Sequence, residues 1–323
     1  MNLTHSATAQ EVHASRIGMG THVPGGRLLS IDQLQAAVRL AYDLGVRSFD
    51  TAHSYANGQS ERCLGRVIGP LDPGMGSPKV QTKIGFPDID LGADSAAAVK
   101  LLRHRYPAVV GSLNPLLERG GHCLDLEFLN AAVQESIHRL APLKPSRVLI
   151  HNPETQLLGD NRTQVSQRLQ SAFELLEGLT QSGAIGGYGI ATWQGLCVPQ
   201  KHPLHLSLSE LCELAQSANG GQSGFKTVML PLNTKMKAGA DLPTQLVNGR
   251  LLPAIVAAYE LGLEVQVSSP LSQGDLVTSA DVKFGLSFAL SHPYVSSAFV
   301  TMWSSIHIRA NLGFANSLAP ANH

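Results

Sequence analysis

The stretch VRSFDTAHSYANGQSERCLGRVI, residues 46–68, joins a short apolar run to a helical pattern through a polar loop. Its first part, Val46–Asp50, predicts a buried strand that ends on an aspartate, and Ser60–Ile68 predicts the helix that follows. The polar residues between them stand where a strand-to-helix loop begins. The stretch therefore predicts one strand–helix unit with reactive side chains at the end of its strand.

The same unit recurs along the whole chain. Short runs rich in β-branched residues alternate with stretches in which apolar residues recur at helical spacing. The predicted strands are Ser15–Thr21, Val46–Asp50, Lys79–Ile84, Ser146–His151, Gly187–Ala191, Lys226–Leu230, Leu263–Ser268 and Ser297–Thr301. The predicted helices are Ile31–Leu44, Ser60–Ile68, Leu126–Leu140, Thr163–Ser182, Leu208–Ser217, Gly249–Leu261, Ala280–Ser291 and Ser305–Ser317. Such repeated alternation predicts an α/β fold, a single (β/α)8 TIM barrel.

An open, doubly wound sheet is the structural alternative, and it would need a glycine-rich phosphate turn directly after a strand. Gly18-Met19-Gly20 is too short for that pattern, and Gly186–Gly189 enters a strand instead of leaving one. We therefore expect one domain over residues 1–323, with the barrel at about 15–315. Residues 86–124 are expected to form an insertion on the catalytic face, where the loops that follow barrel strands lie.

Composition excludes several classes of partner. The chain carries 24 basic and 24 acidic residues, so no charge excess would attract nucleic acid. No apolar run approaches the roughly 20 residues that span a bilayer. The four cysteines are widely spaced without a CxxC pair, and His202 and His205 lack accompanying carboxylates or cysteines. We expect a cytoplasmic enzyme of small molecules with reduced thiols and no metal site.

Four side chains of complementary chemistry are predicted to meet at one rim of the barrel. Asp50, Lys83 and His151 stand at or near the ends of three predicted strands, and Tyr55 follows one loop away. A nearby ammonium lowers the pKa of a tyrosine, and an imidazole can orient a carbonyl oxygen. The set therefore predicts a general acid aimed at a carbonyl. A buried Asp–Lys pair beside a packed tyrosine and histidine would give the same pattern without chemistry.

Several ordered motifs resemble the aldo-keto reductase family. The segment FDTAHSYANGQSE, residues 49–61, resembles its signature of a strand-end aspartate, a tyrosine and a Gly-x-Ser-Glu helix start. The runs QTK at 81–83, LIHNPE at 149–154, GAIGGYGI at 183–190, SPLSQG at 269–274 and His292-Pro293 through Asn311-Leu312 resemble further family segments in the same order. The likeness covers about residues 15–315 and is similar to the sugar-dehydrogenase-like branch.

This resemblance implies an NAD(P)-dependent oxidoreductase acting on a small aldehyde, ketone, alcohol or sugar-like substrate. It implies that Tyr55 is the proton donor, that Lys83 and Asp50 tune it, and that His151 orients the carbonyl. It implies that His22, which follows the first strand, lies in the substrate pocket. Trp193 directly follows the fifth strand and is expected to face the catalytic mouth, either as a wall of the substrate pocket or as part of the core. The residues implied to contact the cofactor are Thr192, Ser269, Leu271, Gln273, Gly274, Met302, His307 and Asn311.

The cofactor segments depart from the family pattern at several positions. Ala191, Met229 and Ser268 stand where the family commonly has a serine, a glutamine and an aromatic residue that contact the nicotinamide. Methionine is at best a weak acceptor. Trp303 stands where an arginine that grips the adenosine 2′-phosphate is frequent, and a phosphate dianion needs charge-assisted donors. NAD is therefore at least as plausible a cofactor as NADP.

Two other functions remain open on the sequence alone. A Tyr–Lys–His set can catalyse a redox-neutral step, such as dehydration, cyclisation, isomerisation or bond cleavage, without any nicotinamide cofactor. A barrel of this type can also act as a non-catalytic binding subunit, because fold alone does not fix function.

Overall fold

A computed structural model describes residues 16–22, 30–71, 76–89, 95–107, 121–219, 223–274 and 278–317 of the protein. Its strands are β1 Ile17–Gly20, β2 Ser48–Asp50, β3 Lys79–Ile84, β4 Pro145–His151, β5 Tyr188–Ala191, β6 Phe225–Pro231, β7 Pro243–Val247, β8 Arg250–Pro253, β9 Glu264–Ser268 and β10 Val295–Thr301. Its helices are α1 Ile31–Asp43, α2 Gln59–Ile68, α3 Ser95–Arg105, α4 Leu126–Leu140, α5 Arg162–Gln181, α6 Leu208–Asn219, α7 Ala238–Asp241, α8 Ala254–Glu260, α9 Ser279–Ser291 and α10 Ser305–Ser317.

Eight of these strands close into a barrel in the order β1-β10-β9-β6-β5-β4-β3-β2. Every pairing around the barrel is parallel. The predicted (β/α)8 barrel is confirmed, and each predicted strand lies within two residues of the observed one. Parallel closure brings the carboxyl ends of all eight strands to one face, where barrel enzymes carry their chemistry.

The barrel separates two hydrophobic regions, and the alternation of side chains along each strand explains why. On β4, Val148 and Ile150 belong to the large core between the barrel and the helices. Leu149, on the opposite face of the strand, belongs to a small interior cluster with Ala191, Met229 and Phe299. Other strand residues, such as Gln81, Thr227 and Gln266, are buried and polar, so they can form hydrogen bonds with charged groups inside the barrel.

Helix α1 shows how local sequence signals fix an element. Ser30 caps it, because its hydroxyl accepts the backbone N–H of Gln33 while the Gln33 side chain accepts the N–H of Ser30. Gly45 follows the helix with φ of 98°, a conformation that favours glycine. Together they bound the helix that the sequence predicts at Ile31–Leu44. Within the described ranges, every helix is too short or too polar to cross a lipid bilayer.

One prediction about the outer layer was wrong. The predicted helix Gly249–Leu261 begins late, at Ala254, because Arg250–Pro253 forms an antiparallel hairpin with β7. Asn248 and Gly249 have φ of 50° and 75°, and an Asn-Gly pair is the preferred two-residue hairpin turn. The segment 86–124, predicted as an insertion on the catalytic face, contains helix α3. Residues 90–94 and 108–120 of that segment lie outside the described part of the chain.

Gly18 is required by close packing inside the barrel. A Cβ atom at this position would stand 2.3 Å from Cε1 of Phe299, its partner residue on β10. The large ring thus fills space that the missing side chain leaves free. At Gly20, two residues further along β1, the nearest atom to such a Cβ is Thr301 Oγ1 at 3.4 Å.

We expect Gly18→Ala to destabilise the protein by about 1–3 kcal/mol, because overpacking forces the Phe299 ring out of its place. Gly20→Ala is the matched control and should be neutral or slightly stabilising, since alanine lowers the entropy of the unfolded chain. Urea unfolding measures both. Equal effects from the two substitutions would contradict the packing argument, and Gly18→Ala combined with Phe299→Leu should regain part of the loss.

Candidate active site

Three neighbouring strands bring the predicted acid–base residues together. Asp50 ends β2, Lys83 is the penultimate residue of β3, and His151 ends β4. The strands β2, β3 and β4 are adjacent in the barrel, so all three side chains stand at the same rim. Tyr55 begins a single turn of 3-10 helix after β2. The arrangement that the sequence predicts is therefore formed by strand order alone.

Lys83 is the centre of the group. Its ammonium donates to Asp50 Oδ2 at 2.6 Å and to the carbonyl of Thr51 at 2.8 Å, and it lies 3.5 Å from the Tyr55 hydroxyl. Asp50 and Lys83 are 6% and 3% exposed, so solvent screens neither charge well. The second oxygen of Asp50 accepts from Gln81 Nε2 at 2.9 Å. Each group that would be costly to bury alone thus has a partner.

Burial and charge oppose each other at both titrating groups. Burial lowers the pKa of Lys83, but the charge of Asp50 and contact with Tyr55 outweigh it and leave that pKa raised. Burial raises the pKa of Tyr55, and the neighbouring Lys83 only partly offsets this. We expected the ammonium to lower the pKa of Tyr55. Its influence has that sign, but burial is stronger, so Tyr55 stays protonated at neutral pH and stands as a proton donor.

His151 faces the same space as a neutral ring. Burial, reinforced by the positive charge of Lys83, holds the pKa of His151 well below its ordinary value. Its ring centroid lies 6.1 Å from that of Tyr55 and 5.2 Å from that of Phe86. Nδ1 of His151 is buried with no hydrogen-bond partner among the described residues. A neutral imidazole with spare hydrogen-bonding capacity suits a polar substrate atom.

The backbone of His151 is held from outside the barrel. Nε2 of His122 lies 2.6 Å from the carbonyl oxygen of His151, and Nδ1 of the same ring lies 2.8 Å from Nε2 of Gln156. Because the Gln156 amide donates to Nδ1, the proton of His122 is on Nε2 and the ring donates to His151. Sequence reasoning missed both residues, since they come from separate segments whose contact depends on the fold.

The loop that presents Tyr55 has an unusual backbone. Ala56 and Asn57 have φ of 48° and 53°, and Gly58 has φ of 79°. The guanidinium of Arg139 lies directly beneath, because a Cβ on Gly58 would stand 2.3 Å from Nη1 of that residue. Glycine is therefore needed at 58 both for its conformation and for this close approach.

Arg139 anchors that loop through a buried network of charges. It donates to Glu61 Oε2 at 3.2 Å and to Glu135 Oε2 at 2.8 Å, and it pairs with Asp88. It also contacts His53 Nδ1 at 3.2 Å, two residues before Tyr55. His53, Asp88 and Glu135 offer ligand atoms within 4.8 Å of one another, but Arg105 and Arg139 both pair with the two carboxylates, and burial holds the pKa of His53 at about 3.

The side of the rim where a nicotinamide ring is expected has an apolar floor. Ala191 and Met229 face each other across β5 and β6 and belong to the interior cluster. Thr192 is buried, and its hydroxyl donates to Glu154 Oε1 at 2.9 Å. Its hydrogen is thus already used, so Thr192 can offer a ligand only its lone pairs.

The loop after β9 has the character of a phosphate site. Ser269, Ser272 and Gln273 have φ of 53°, 52° and 60°, and the Ser269 carbonyl is held by Asn233 Nδ2 at 2.9 Å. Ser272 Oγ is buried and has no partner among the described residues. Such an orphaned donor fits a phosphate oxygen. Leu271 packs against the core, whereas Gln273 and Gly274 are exposed.

The residues predicted to contact adenosine are not all turned outward. Met302 is fully buried in the outer core, so only its backbone could contact a ligand. Asn311 is 2% exposed, whereas His307 is exposed and its backbone N–H bonds to Ser304 Oγ at 3.1 Å. The segment therefore offers a dinucleotide one exposed imidazole and no cation at the place of Trp303.

The two predicted pocket residues lie at the mouth. The ring of His22, just after β1, is 4.9 Å from that of Tyr55 between centroids. Trp193 follows β5 and is partly buried, and its backbone N–H bonds to Glu154 Oε1 at 2.7 Å. His22 thus joins the group around Tyr55, and Trp193 follows the strand next to the one that ends in His151.

Comparison with known proteins gives a family match and distant relatives. Residues 16–197 match the Aldo/keto reductase family. The D-threo-aldose 1-dehydrogenase of a Pseudomonas species is 28% identical over 196 residues, which are 58% of this chain and 53% of that protein. Three curated relatives, this one included, are matched over 18%, 56% and 53% of their own length, so none is matched over two thirds.

Solved structures share the barrel at low identity. An aldo-keto reductase from Bacillus halodurans in its holo form has a TM-score of 0.61 and 16% identity, over 95% of this chain and 88% of that one. An aldo-keto reductase from Klebsiella pneumoniae in complex with NADPH has a TM-score of 0.55 and 18% identity, over 95% and 87%. At these identities the likeness establishes the fold.

We expect Asp50→Asn to destabilise the protein by about 3–5 kcal/mol near neutral pH, because it leaves the buried ammonium of Lys83 without a counter-charge. In the native protein the pKa of Lys83 is raised, so the stability from this pair is present below pH 10.5 and is lost as the pH rises through the raised pKa. The difference in unfolding free energy between the native protein and Asp50→Asn should therefore become smaller in alkaline solution.

Urea unfolding across pH measures this dependence. Asp43→Asn is the control, because Asp43 pairs with Arg39 on the surface of α1 and such pairs contribute about 0–1 kcal/mol. If Asp50→Asn loses as little unfolding free energy as the control, or if its loss does not change with pH, Asp50 is not the counter-charge that stabilises the Lys83 ammonium.

Proposed function

Because the chain belongs to the aldo/keto reductase family, we propose that it is an NAD(P)-dependent oxidoreductase of small carbonyl or alcohol substrates with Tyr55 as general acid and base. The observation that carries the proposal is the Tyr55 hydroxyl, held 3.5 Å from the buried ammonium of Lys83. Its pKa is raised by burial, and Lys83 is in turn held by Asp50 at 2.6 Å.

The roles of the side chains follow from their charges. When a substrate carbonyl oxygen stands between Tyr55 and His151, the tyrosine donates its proton to that oxygen and the neutral imidazole hydrogen-bonds to it. The ammonium of Lys83 stabilises the phenolate that is left, and Asp50 keeps that ammonium charged. A bound nicotinamide cofactor supplies or accepts the hydride. In the oxidative direction the phenolate form of Tyr55, stabilised by Lys83, takes up the proton of the alcohol, and the raised pKa places this form in alkaline solution.

The substrate class is proposed from the mouth of the barrel. His22 and His151 both lie next to Tyr55, so the polar wall suits a substrate with more than one oxygen atom. The relative from Pseudomonas is named a D-threo-aldose 1-dehydrogenase, which fits an aldehyde, ketone or sugar-like substrate here. Trp193, after the neighbouring strand β5, adds an aromatic side chain at this end of the barrel.

We propose that the cofactor occupies the loop Ser269–Gly274 with its phosphates and the segment Met302–Asn311 with its adenosine. The buried, unpartnered hydroxyl of Ser272 supports the first placement. At the second, an adenosine 2′-phosphate would find Trp303 in place of a cation, with the exposed His307 nearby. NAD(H) should therefore bind at least as well as NADP(H), because a phosphate dianion needs charge-assisted donors.

A redox-neutral reaction on the same tetrad is the second candidate. The apolar pair Ala191 and Met229 favours it, because neither side chain can bind a nicotinamide carboxamide. Such an enzyme would turn over without added cofactor and give a product isomeric with its substrate or differing by water or a leaving group.

Titration of the purified protein with NADH and with NADPH tests the function directly. We expect both to bind, with a dissociation constant for NADH no larger than that for NADPH, because position 303 carries no cation. Quenching of tryptophan fluorescence or calorimetry measures the two constants. Absence of binding at millimolar concentrations of either cofactor would rule out the oxidoreductase and favour the redox-neutral alternative.

Tyr55→Phe should lower kcat by about 10²–10⁴-fold with cofactor affinity nearly unchanged, because it removes one proton and little volume. Initial rates on a panel of simple aldehydes, ketones and aldoses measure the loss. Reduction by the native protein should stay flat with pH up to at least 10.0, since the pKa of Tyr55 is raised above that value. Tyr259→Phe, an exposed tyrosine of α8, is the matched control, and equal rates for the two variants would remove Tyr55 from the mechanism.

A further inference from the structure

Glu154 is a buried carboxylate that the tetrad does not use. It lies three residues after His151, in the turn Pro153–Leu158 that follows β4, and is 3% exposed. Among the described residues it forms no ion pair with a lysine or arginine. A buried charge without a counter-ion is costly and needs another source of stabilisation.

That stabilisation comes from one short loop. Glu154 Oε1 accepts the hydroxyl of Thr192 at 2.9 Å and the backbone N–H groups of Trp193, Gln194 and Gly195 at 2.7, 2.8 and 3.2 Å. Three successive N–H groups converge on one oxygen, as in backbone sites that bind anions. The loop thus wraps the carboxylate, and its shape depends on the presence of that charge.

The two oxygens of Glu154 differ in their hydrogen bonds, because all four bonds to the loop are accepted by Oε1. Glu154 Oε2 is buried and has no hydrogen-bond partner among the described residues. A carboxylate can accept about four hydrogen bonds, so an arrangement that served stability alone would use both oxygens. Every hydrogen bond that Glu154 accepts from a side chain or backbone of the described residues comes from the loop that follows β5.

The loop it holds lies beside the reacting group. The backbone N–H of Asn152, next to His151, bonds to the carbonyl of Ala191 at 2.6 Å, so the ends of β4 and β5 are joined directly before the turn that carries Glu154. Thr192 borders the apolar floor, and Trp193 stands at the mouth. Glu154 therefore couples the strand end that carries His151 to the wall on which a nicotinamide ring would rest.

We propose that Glu154 is a positioning residue, whose charge folds Thr192–Gly195 into the wall that receives the nicotinamide end of the cofactor. The consequence for binding rests on the proposed function, whereas the consequence for the loop does not. Because the Thr192 hydroxyl donates to Glu154, it meets the ligand with its lone pairs, and an N–H of a carboxamide is the group that it accepts.

The chain contains a spectroscopic probe at the right place. Its two tryptophans are Trp193 and Trp303. In a Trp303→Phe background, the emission of Trp193 and its quenching by acrylamide report on the loop in the absence of any cofactor. Cofactor affinity is measured separately in chains that retain Trp303.

Glu154→Gln keeps the size of the side chain and removes its charge. We expect red-shifted, more readily quenched emission of Trp193, and an increase of about tenfold in the dissociation constants of NADH and NADPH, as expected from loss of charge-assisted hydrogen bonds. Glu177→Gln is the matched control. Glu177 is equally buried, at 3% exposure, and accepts the N–H of Gly224 at 2.8 Å, but before β6 at the other end of the barrel.

The control should lower thermal stability and leave Trp193 emission and cofactor affinity as in the parent. Native emission, quenching and affinity in Glu154→Gln would overturn the proposal, as would equal changes in the control. If Glu154→Gln does not fold, Glu154→Asp replaces it in the same measurements. This variant keeps the charge but moves it away from the loop by the length of one methylene, so the same changes in Trp193 emission and cofactor affinity are expected. Failure of the parent protein itself to bind either cofactor would count against the proposed function, while the Trp193 spectra would still test the loop.

Discussion

The ion pair between Lys83 and Asp50 is the interaction on which the site depends. It places one positive and one negative charge inside the barrel at 2.6 Å, with Gln81 and the Thr51 carbonyl as further partners. In a region of low dielectric constant the ammonium acts strongly on whatever lies next to it. Tyr55 and His151 are its neighbours, and burial keeps both in their neutral forms. Burial thus sets the protonation states of Tyr55 and His151, and the buried pair supplies the charge that acts on both of them.

Two further buried charges shape the backbone around this pair. Arg139 lies under the turn that carries Tyr55, and its contacts with Glu61 and His53 hold a segment with positive φ values. Glu154 collects the N–H groups of the loop after β5. Irregular backbone at a barrel mouth has few strand partners, so side-chain charges take over the role of the missing ladder bonds.

The family match covers the acid–base residues, whereas the apolar floor of the barrel concerns the place where a nicotinamide ring would bind. The match over residues 16–197 covers β1 through β5 and the whole tetrad. The floor formed by Ala191, Met229, Leu149 and Phe299 lies inside the barrel directly below the rim. A ring bound above it would be held by packing and by Thr192 more than by side-chain amides. The acid–base group is thus defined by hydrogen bonds between charged side chains, whereas the floor offers a bound ring only apolar contacts.

The sequence by itself determined the barrel and the positions of Asp50, Tyr55, Lys83 and His151, because strand periodicity and strand ends are local properties. It also contained the Asn-Gly turn of the β7–β8 hairpin, which we misread as part of a helix. Only the tertiary structure decided that burial raises the pKa of Tyr55, that Met302 faces the core, and that Glu154 binds the loop after β5. Each of these depends on residues that are distant in sequence and on how much solvent the finished fold excludes.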